Sequence, residues 1–258
     1  MVIRRIREHV TAHNWFAVGI DVAVVVAGVF LGTQANNWNE ARLERAAAAD
    51  YREQIIDDLK SNEVDIAGRK AYYQSVRAHA LAALAAVEEP SGAQGETFLV
   101  DAYQASQVWI RPLNRTGYDE MTGAGLSNNL GDRQTRSRLT TYYTQIRQFD
   151  FNAAYMTSYR ERLRRVMPYK VQLAVQRRCG DLVTVLPSGA QTAALPDTCS
   201  LDLEQATITL ATSRIERADL VEDLTRHIAD IDQKMLLFER YGRQAREIRL
   251  FLEAKGRN

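Results

Sequence analysis

The sequence predicts an all-α protein: one N-terminal transmembrane helix followed by an antiparallel helical bundle with long helices and one small loop or hairpin insertion. Three observations predict it. Residues 15–35 carry a single charge, Asp21. Beyond residue 41, apolar side chains recur at steps of three, four and seven, the spacing of a helix with one buried stripe. Only 5 Pro and 14 Gly interrupt 258 residues, too few for many short strands and turns.

The first element is the apolar stretch, WFAVGIDVAVVVAGVFLGTQA. As a helix it is about 31 Å long, close to a hydrocarbon core of ~30 Å. Trp15 and Trp38 bracket it at the depths where interfacial aromatics gather. The mean hydropathy of the whole chain is -0.32, which reflects the polar residues that follow. A cleaved signal peptide is the rival reading. The long lead, the internal Asp21 and the poor cleavage site at Thr33-Gln34-Ala35 favour a retained anchor.

At 100° per residue, Asp21 and Asn39 share one line along this helix. Gly28 and Gly32 fall within about 20° of it, Val25 and Ala35 within about 40°. Small residues let two helix backbones approach closely. A carboxyl ~9 Å inside Trp15 is costly against lipid unless protonated or paired. The stripe therefore marks a candidate helix-association face. The plainer reading is that glycine is common in membrane helices and Asp21 is wetted.

Three arginines precede the span (Arg4, Arg5, Arg7) and three follow it closely (Arg42, Arg45, Arg52), so the Lys/Arg rule is tied. Cys179 and Cys199 flank a loop containing Pro187, Gly189 and Pro196, which suits a disulfide in an oxidising compartment. Two buried thiols in a cytosolic domain are the alternative. The expected arrangement is a bacterial inner-membrane, single-pass protein. It has a basic cytoplasmic lead (1–14), a transmembrane helix (15–35) and a periplasmic bundle (36–258) whose segment 179–199 is a disulfide-closed loop.

The bundle's first helix should bury Ala48, Tyr51, Ile55, Leu59, Ile66, Tyr73, Val76, Ala80, Leu84 and Val87, stopping at Pro90-Ser91-Gly92. A shorter helix is expected over 97–111, ended by Pro112. Thr116 and Asp119 form a candidate capping box. Asp132 should cap a third helix that buries Leu139, Tyr142, Ile146, Phe149, Ala153, Met156, Leu163, Met167, Val171 and Ala174, with a kink at Pro168. Residues 182–186 and the turn at Pro187-Ser188-Gly189 could make a hairpin. A fourth helix should bury Leu220, Leu224, Ile228, Ile231, Met235, Phe238, Tyr241, Ala245, Ile248 and Leu252.

The chain has 33 Lys+Arg against 32 Asp+Glu, a net charge of +1, so no global field would gather nucleic acid. Locally the signs separate. Residues 160–178 hold seven basic residues against Glu161, and residues 202–232 hold eight acidic against three basic. Mutual neutralisation within the bundle explains this most simply, and a basic patch for anionic lipid or an acidic partner is the sharper alternative.

Directly after the span stands QANNWNE, residues 34–40. This segment resembles a widespread family of uncharacterised bacterial single-span membrane proteins whose span ends in a Gln-x-Asn-Asn-Trp-Asn-Glu signature. Gln34, Asn36, Asn37, Trp38, Asn39 and Glu40 match. Asp21 stands where that family usually has Glu, and Gly28 where it has Gly. A weaker echo covers TGYDEMTGAGL at 116–126 with Tyr142, Tyr143 and Ile146. The resemblance implies a membrane location and a helical extracytoplasmic part, with no known activity. It carries no support for the cysteine pair.

No catalytic or phosphate-cradling motif is present. His9 and His13 are four apart without a third ligand, and His79 and His227 are isolated. Neither a metal, a cofactor nor an enzymatic activity is expected. The stretch 98–121 gathers Asp101, Tyr103, Trp109, Arg111, Arg115, Tyr118 and Asp119, which could line a ligand pocket between helices or simply pack the bundle end. The expected function is a non-catalytic scaffold or interaction protein of the cell envelope. It would sit in the lipid bilayer and either self-associate or dock a membrane-protein partner. The alternative is an extracytoplasmic ligand-sensing bundle that signals through a membrane partner.

Overall fold

The computed structural model describes residues 15–88, 94–187 and 189–256. The arginine-bearing lead, His9, His13 and the stop at Pro90-Ser91-Gly92 lie outside them. The protein is all-α apart from one hairpin, and one N-terminal helix is long and apolar enough to cross a membrane.

Helix α1 runs unbroken over Trp15–Glu88, 74 residues, about 111 Å. The expected span and the first bundle helix are thus one element, and residues 36–40 continue the helix between them. Asn36 helps by donating from its amide to Glu40 Oε1 at 2.7 Å, one turn on. None of the described side chains before Ala48 is buried, and Ala48 is 5% exposed. The bundle therefore begins 13 residues beyond Ala35, about 20 Å along the axis.

Helix α2 is Glu96–Ala105, shorter than the expected 97–111. It ends where Ser106 N and Oγ both turn back to the carbonyl of Tyr103. Residues 107–115 then leave the helix to run along α1. Helix α3 is Thr116–Gly123. The expected capping box does not form: Thr116 donates from N and Oγ1 to Asn114 Oδ1 (3.2 and 2.9 Å). Asp119 is held instead by Arg115, with both contacts at 2.6 Å. Gly125, at φ 75°, opens a 3-10 turn over Leu126–Asn129, a backbone setting that favours glycine.

Asp132 caps helix α4, Arg133–Ala154, by accepting from Thr135 N at 2.8 Å. The expected third long helix is in fact three. Helix α5 is Ser158–Val166 and α6 is Tyr169–Arg178. Pro168 breaks the chain where a kink was expected. Its ring holds Met167 at φ -67°, ψ 126°, outside the helical region, as a residue before proline prefers. The earlier break is stabilised from the last helix, Val221–Gly256: Lys234 donates to the Tyr155 carbonyl, and Thr157 Oγ1 pairs with His227 Nδ1 at 2.7 Å. Met156 consequently points outward, 50% exposed.

Strands β1 (Leu182–Val185) and β2 (Gln191–Ala194) form an antiparallel hairpin pairing Leu182 with Ala194 and Val185 with Gln191. Strand β2 lies on α1, where a Cβ at Gly68 would sit 2.8 Å from Thr192 Cγ2. Strand β1 is exposed at every residue. Cys179, at the end of α6, is bonded to Cys199, with the Cα atoms 5.6 Å apart. Helix α7, Gln205–Arg217, was not expected; its buried positions Ile208, Ala211, Thr212 and Ile215 make only a short stripe. Helix α8 is Val221–Gly256.

Helices α1 and α8 run antiparallel. Glu63 meets Arg249 at 2.6 Å, Lys70 meets Glu239 at 2.6 Å and Arg77 meets Asp232 at 2.5 Å. As the residue number rises along α1, that of its partner on α8 falls. Two apolar clusters sit on this pair. The one nearer the span includes Ile55, Leu59, Tyr142, Ile146, Phe149 and Phe238. The farther one includes Leu99, Tyr103, Tyr159, Leu163, Val171 and Leu224. The opposite charges of 160–178 and 202–232 meet in part: Arg162 pairs with Asp223, and Arg178 with Asp202 at 3.3 Å.

Candidate binding groove

Four polar residues of α1 are buried along one line: Asp58, Asn62, Asp65 and Arg69. Their spacing of four, three and four keeps them on one helical face. That face is covered by the extended segment before α3. Asn62 grips Asn114 by both backbone groups, Nδ2 to the carbonyl and Oδ1 from N–H, each at 2.7 Å. Asp58 Oδ2 accepts from Gly117 N at 2.7 Å. These bonds give the irregular segment partners it would otherwise seek in water.

Arg69 is 1% exposed. Its Nε donates to Asp65 Oδ1 at 2.6 Å, and Nη1 lies 4.0 Å from Asp150 Oδ1. Asp150 in turn accepts weakly from Leu113 N at 3.3 Å. Burial raises the Asp58 carboxyl to about 6, with neighbouring acids adding to the rise and the Gly117 bond opposing it. Burial also raises Asp150 to about 6, opposed chiefly by Arg69.

Between α1 and this segment lies an open groove of about 450 Å³, lined by residues including Asn62, Asp65, Arg111, Asn114 and Arg115. The hairpin turn closes one end with Gly189 and Ala190. Arg115 is occupied by Asp119, and its Nη1 also reaches the Tyr143 carbonyl at 3.4 Å. Arg111 differs, because its Nη1 is buried without an acceptor. Both Nη atoms of Arg69 are likewise buried without a hydrogen-bond acceptor, Nη1 facing Asp150 at 4.0 Å.

The seven residues expected to line one pocket do not share one. Arg111 and Arg115 line the groove, with Asp119 bonded to Arg115 and Tyr118 stacked on Tyr143 at 4.1 Å. Trp109 packs on Tyr72 with ring centroids 6.2 Å apart. Asp101 pairs with His79 at 2.7 Å. Tyr103 is buried in the far cluster under the Arg164 guanidinium, 3.6 Å from its ring centroid. Sequence reasoning missed Asn62, Asp65, Arg69 and Asp150 altogether. Their signal was a polar series in register with an apolar stripe.

On the span, Val25, Gly28, Gly32, Ala35 and Asn39 are exposed, and Asp21 is half-buried. A Cβ at Gly28 or Gly32 would meet no atom within 4 Å, so the stripe is open surface. Trp38 is 66% exposed; the Trp15 side chain lies outside the described residues. Among the described residues, no group of three His, Cys, Asp or Glu could hold a metal ion. His227 Nε2 bonds the Ala105 carbonyl at 2.8 Å, and burial lowers its pKa.

No protein-family model, curated protein or solved structure matches this chain.

Proposed function

We propose that the protein is a non-catalytic interaction protein of the bacterial cell envelope, anchored by residues 15–35 and carrying its bundle on the continuation of the same helix. One observation supports this above all: α1 passes without a break from an apolar first segment, none of whose described side chains is buried, to the buried face of the bundle. An apolar surface of that length with no partner among the described residues is suited to lipid or to another membrane helix. The Asp21–Gly28–Gly32–Asn39 stripe is the face for self-association or for a membrane-protein partner. The resemblance at residues 34–40 agrees with an anchored protein whose bulk is extracytoplasmic, and the cysteine pair agrees with a periplasmic bundle.

The test uses the full chain in bacterial membranes. It should stay with the membrane pellet through alkaline carbonate, and Gly28→Leu with Gly32→Leu should abolish the signal of a membrane dimerisation reporter. Release into the soluble fraction would reject the anchor. An unchanged reporter signal would reject the stripe.

A second reading, a ligand-sensing bundle, is favoured by the groove and the unpaired Arg111 donor. A ligand bound there would touch α1 directly, and α1 leads into the membrane.

A further inference from the structure

Charged donors without acceptors are rare in folded interiors, because a buried unpaired guanidinium N–H forfeits its hydration for nothing. Here three nitrogens without a hydrogen-bond acceptor lie in or under one groove: Arg111 Nη1 and both Nη atoms of Arg69, whose charge is itself met by Asp65 and Asp150. Arg69 is placed beneath the groove by its bond to groove-lining Asp65. It is also placed there by Asp150, which lies 4.0 Å from its Nη1 and accepts from groove-lining Leu113. Asn62 is taken up by the Asn114 backbone, and Arg115 is engaged by Asp119 through Nε and Nη2 and by the Tyr143 carbonyl through Nη1. Of the two guanidinium groups that line the groove, Arg111 is the one with a buried nitrogen that has no acceptor.

We infer that the groove between α1 and residues 111–116 binds a small organic monocarboxylate, whose carboxylate is received by the Arg111 guanidinium. This deepens the ligand-sensing reading of the same site. A planar carboxylate matches the fork of a guanidinium and can accept two parallel hydrogen bonds. The surrounding acids select against higher charge. Asp65, Asp119 and Asp150 stand among Arg69, Arg111 and Arg115, so the local charge is near balance. A monoanion completes Arg111, whereas a phosphate dianion would add unpaired negative charge beside three carboxylates. The groove's volume suits a ligand of a few carbons up to a small drug-sized molecule.

The test is thermal unfolding and isothermal titration of the full chain in detergent micelles. The probes are sodium acetate, L-lactate, succinate and inorganic phosphate, each matched in ionic strength with sodium chloride. Acetate or lactate should raise the melting temperature above the chloride control, and phosphate should not. Arg111→Gln should weaken that binding at least tenfold. Arg111→Lys keeps the charge without the fork and should fall between, which preserves the test if Arg111→Gln does not fold. Carboxylate binding unchanged in both variants would overturn the assignment, as would tighter binding of phosphate. If phosphate bound and Arg111→Gln abolished it, the ligand class would fall while the binding groove stood. If no probe bound at all, the monocarboxylate assignment would fall, and a wider screen of neutral molecules on the same chain would then decide the ligand-sensing reading separately.

Discussion

Asp58 shows how one side chain can be both structural support and pH sensor. Its carboxyl is buried and still accepts the Gly117 N–H, so the charged form is held but poorly solvated. Its folded pKa of about 6 stands above the ordinary 3.8. The folded state therefore takes up a proton that the unfolded chain does not between those values, and this group's contribution to stability rises as pH falls through about 6. His227 works in the opposite direction, because burial lowers its pKa; comparison against a single-site variant cancels it. We expect the melting temperature of wild type relative to Asp58→Asn to move in favour of wild type between pH 7 and pH 5. A constant difference across that range would show that Asp58 does not titrate there. Gly117 meets the same helix by close approach. An added Cβ would lie 2.9 Å from Gln54 Cβ and 3.0 Å from Ile55 N. Gly117→Ala should cost roughly 1–3 kcal/mol in urea unfolding, since backbone cannot yield as a flexible side chain does.

At the scale of elements, apolar periodicity carried most of what could be read in advance. Ile55, Leu59, Ile66, Tyr73, Val76 and Ala80 on α1, and Phe238, Ala245, Ile248 and Leu252 on α8, are buried as their spacing predicts. Helix ends were less legible. Asn114 took the Thr116 groups and Arg115 took Asp119, competitions between near neighbours that a capping pattern does not weigh. The breaks around Thr157 depend on Lys234 and His227, which arrive from a helix some 70 residues away in sequence. Asp58, Asn62, Asp65 and Arg69 drew no expectation from the sequence, because charged residues are seldom buried without partners. Their partners outside α1 are Asn114, Gly117 and Asp150, 52 to 81 positions away in sequence, and a helical pattern does not reveal contacts of that range. The hairpin and α7 lie within or beside the loop closed by Cys179 and Cys199, which are 20 positions apart. Replacing both cysteines with serine should lower the unfolding free energy by about 3 kcal/mol on chain-entropy grounds. Urea denaturation under non-reducing conditions would measure it, and no change would mean that the loop is held by packing alone.

The whole molecule is organised around two helices of unequal length. Helix α8 ends near the first buried turns of α1, where Arg52 reaches the Leu252 carbonyl and Lys255 pairs with Asp132. Before that point on α1, Glu44 still accepts from Asn129 Nδ2 at 2.9 Å, and none of the described side chains before Ala48 is buried. Proline at Ala46, an exposed position in the connecting turns, should break the rod locally at a cost of ~3 kcal/mol or more while leaving both apolar clusters intact. Spin labels on Val64 and on lipid headgroups in nanodiscs should give a narrow distance distribution for wild type and a broad one for Ala46→Pro. Equal widths would mean that the intact helix does not fix the height of the bundle.

Because α1 has no hinge, it also works as a lever. Glu88 lies 50 positions beyond Trp38, a reach of about 75 Å at ~1.5 Å per residue. Leaning the anchor by about ten degrees at the headgroups would sweep that far tip sideways by roughly 13 Å on the same geometry. On the proposed anchoring, a modest change in bilayer thickness, or in the neighbour beside the span, would become a displacement wider than a helix diameter at the end most distant from the lipid.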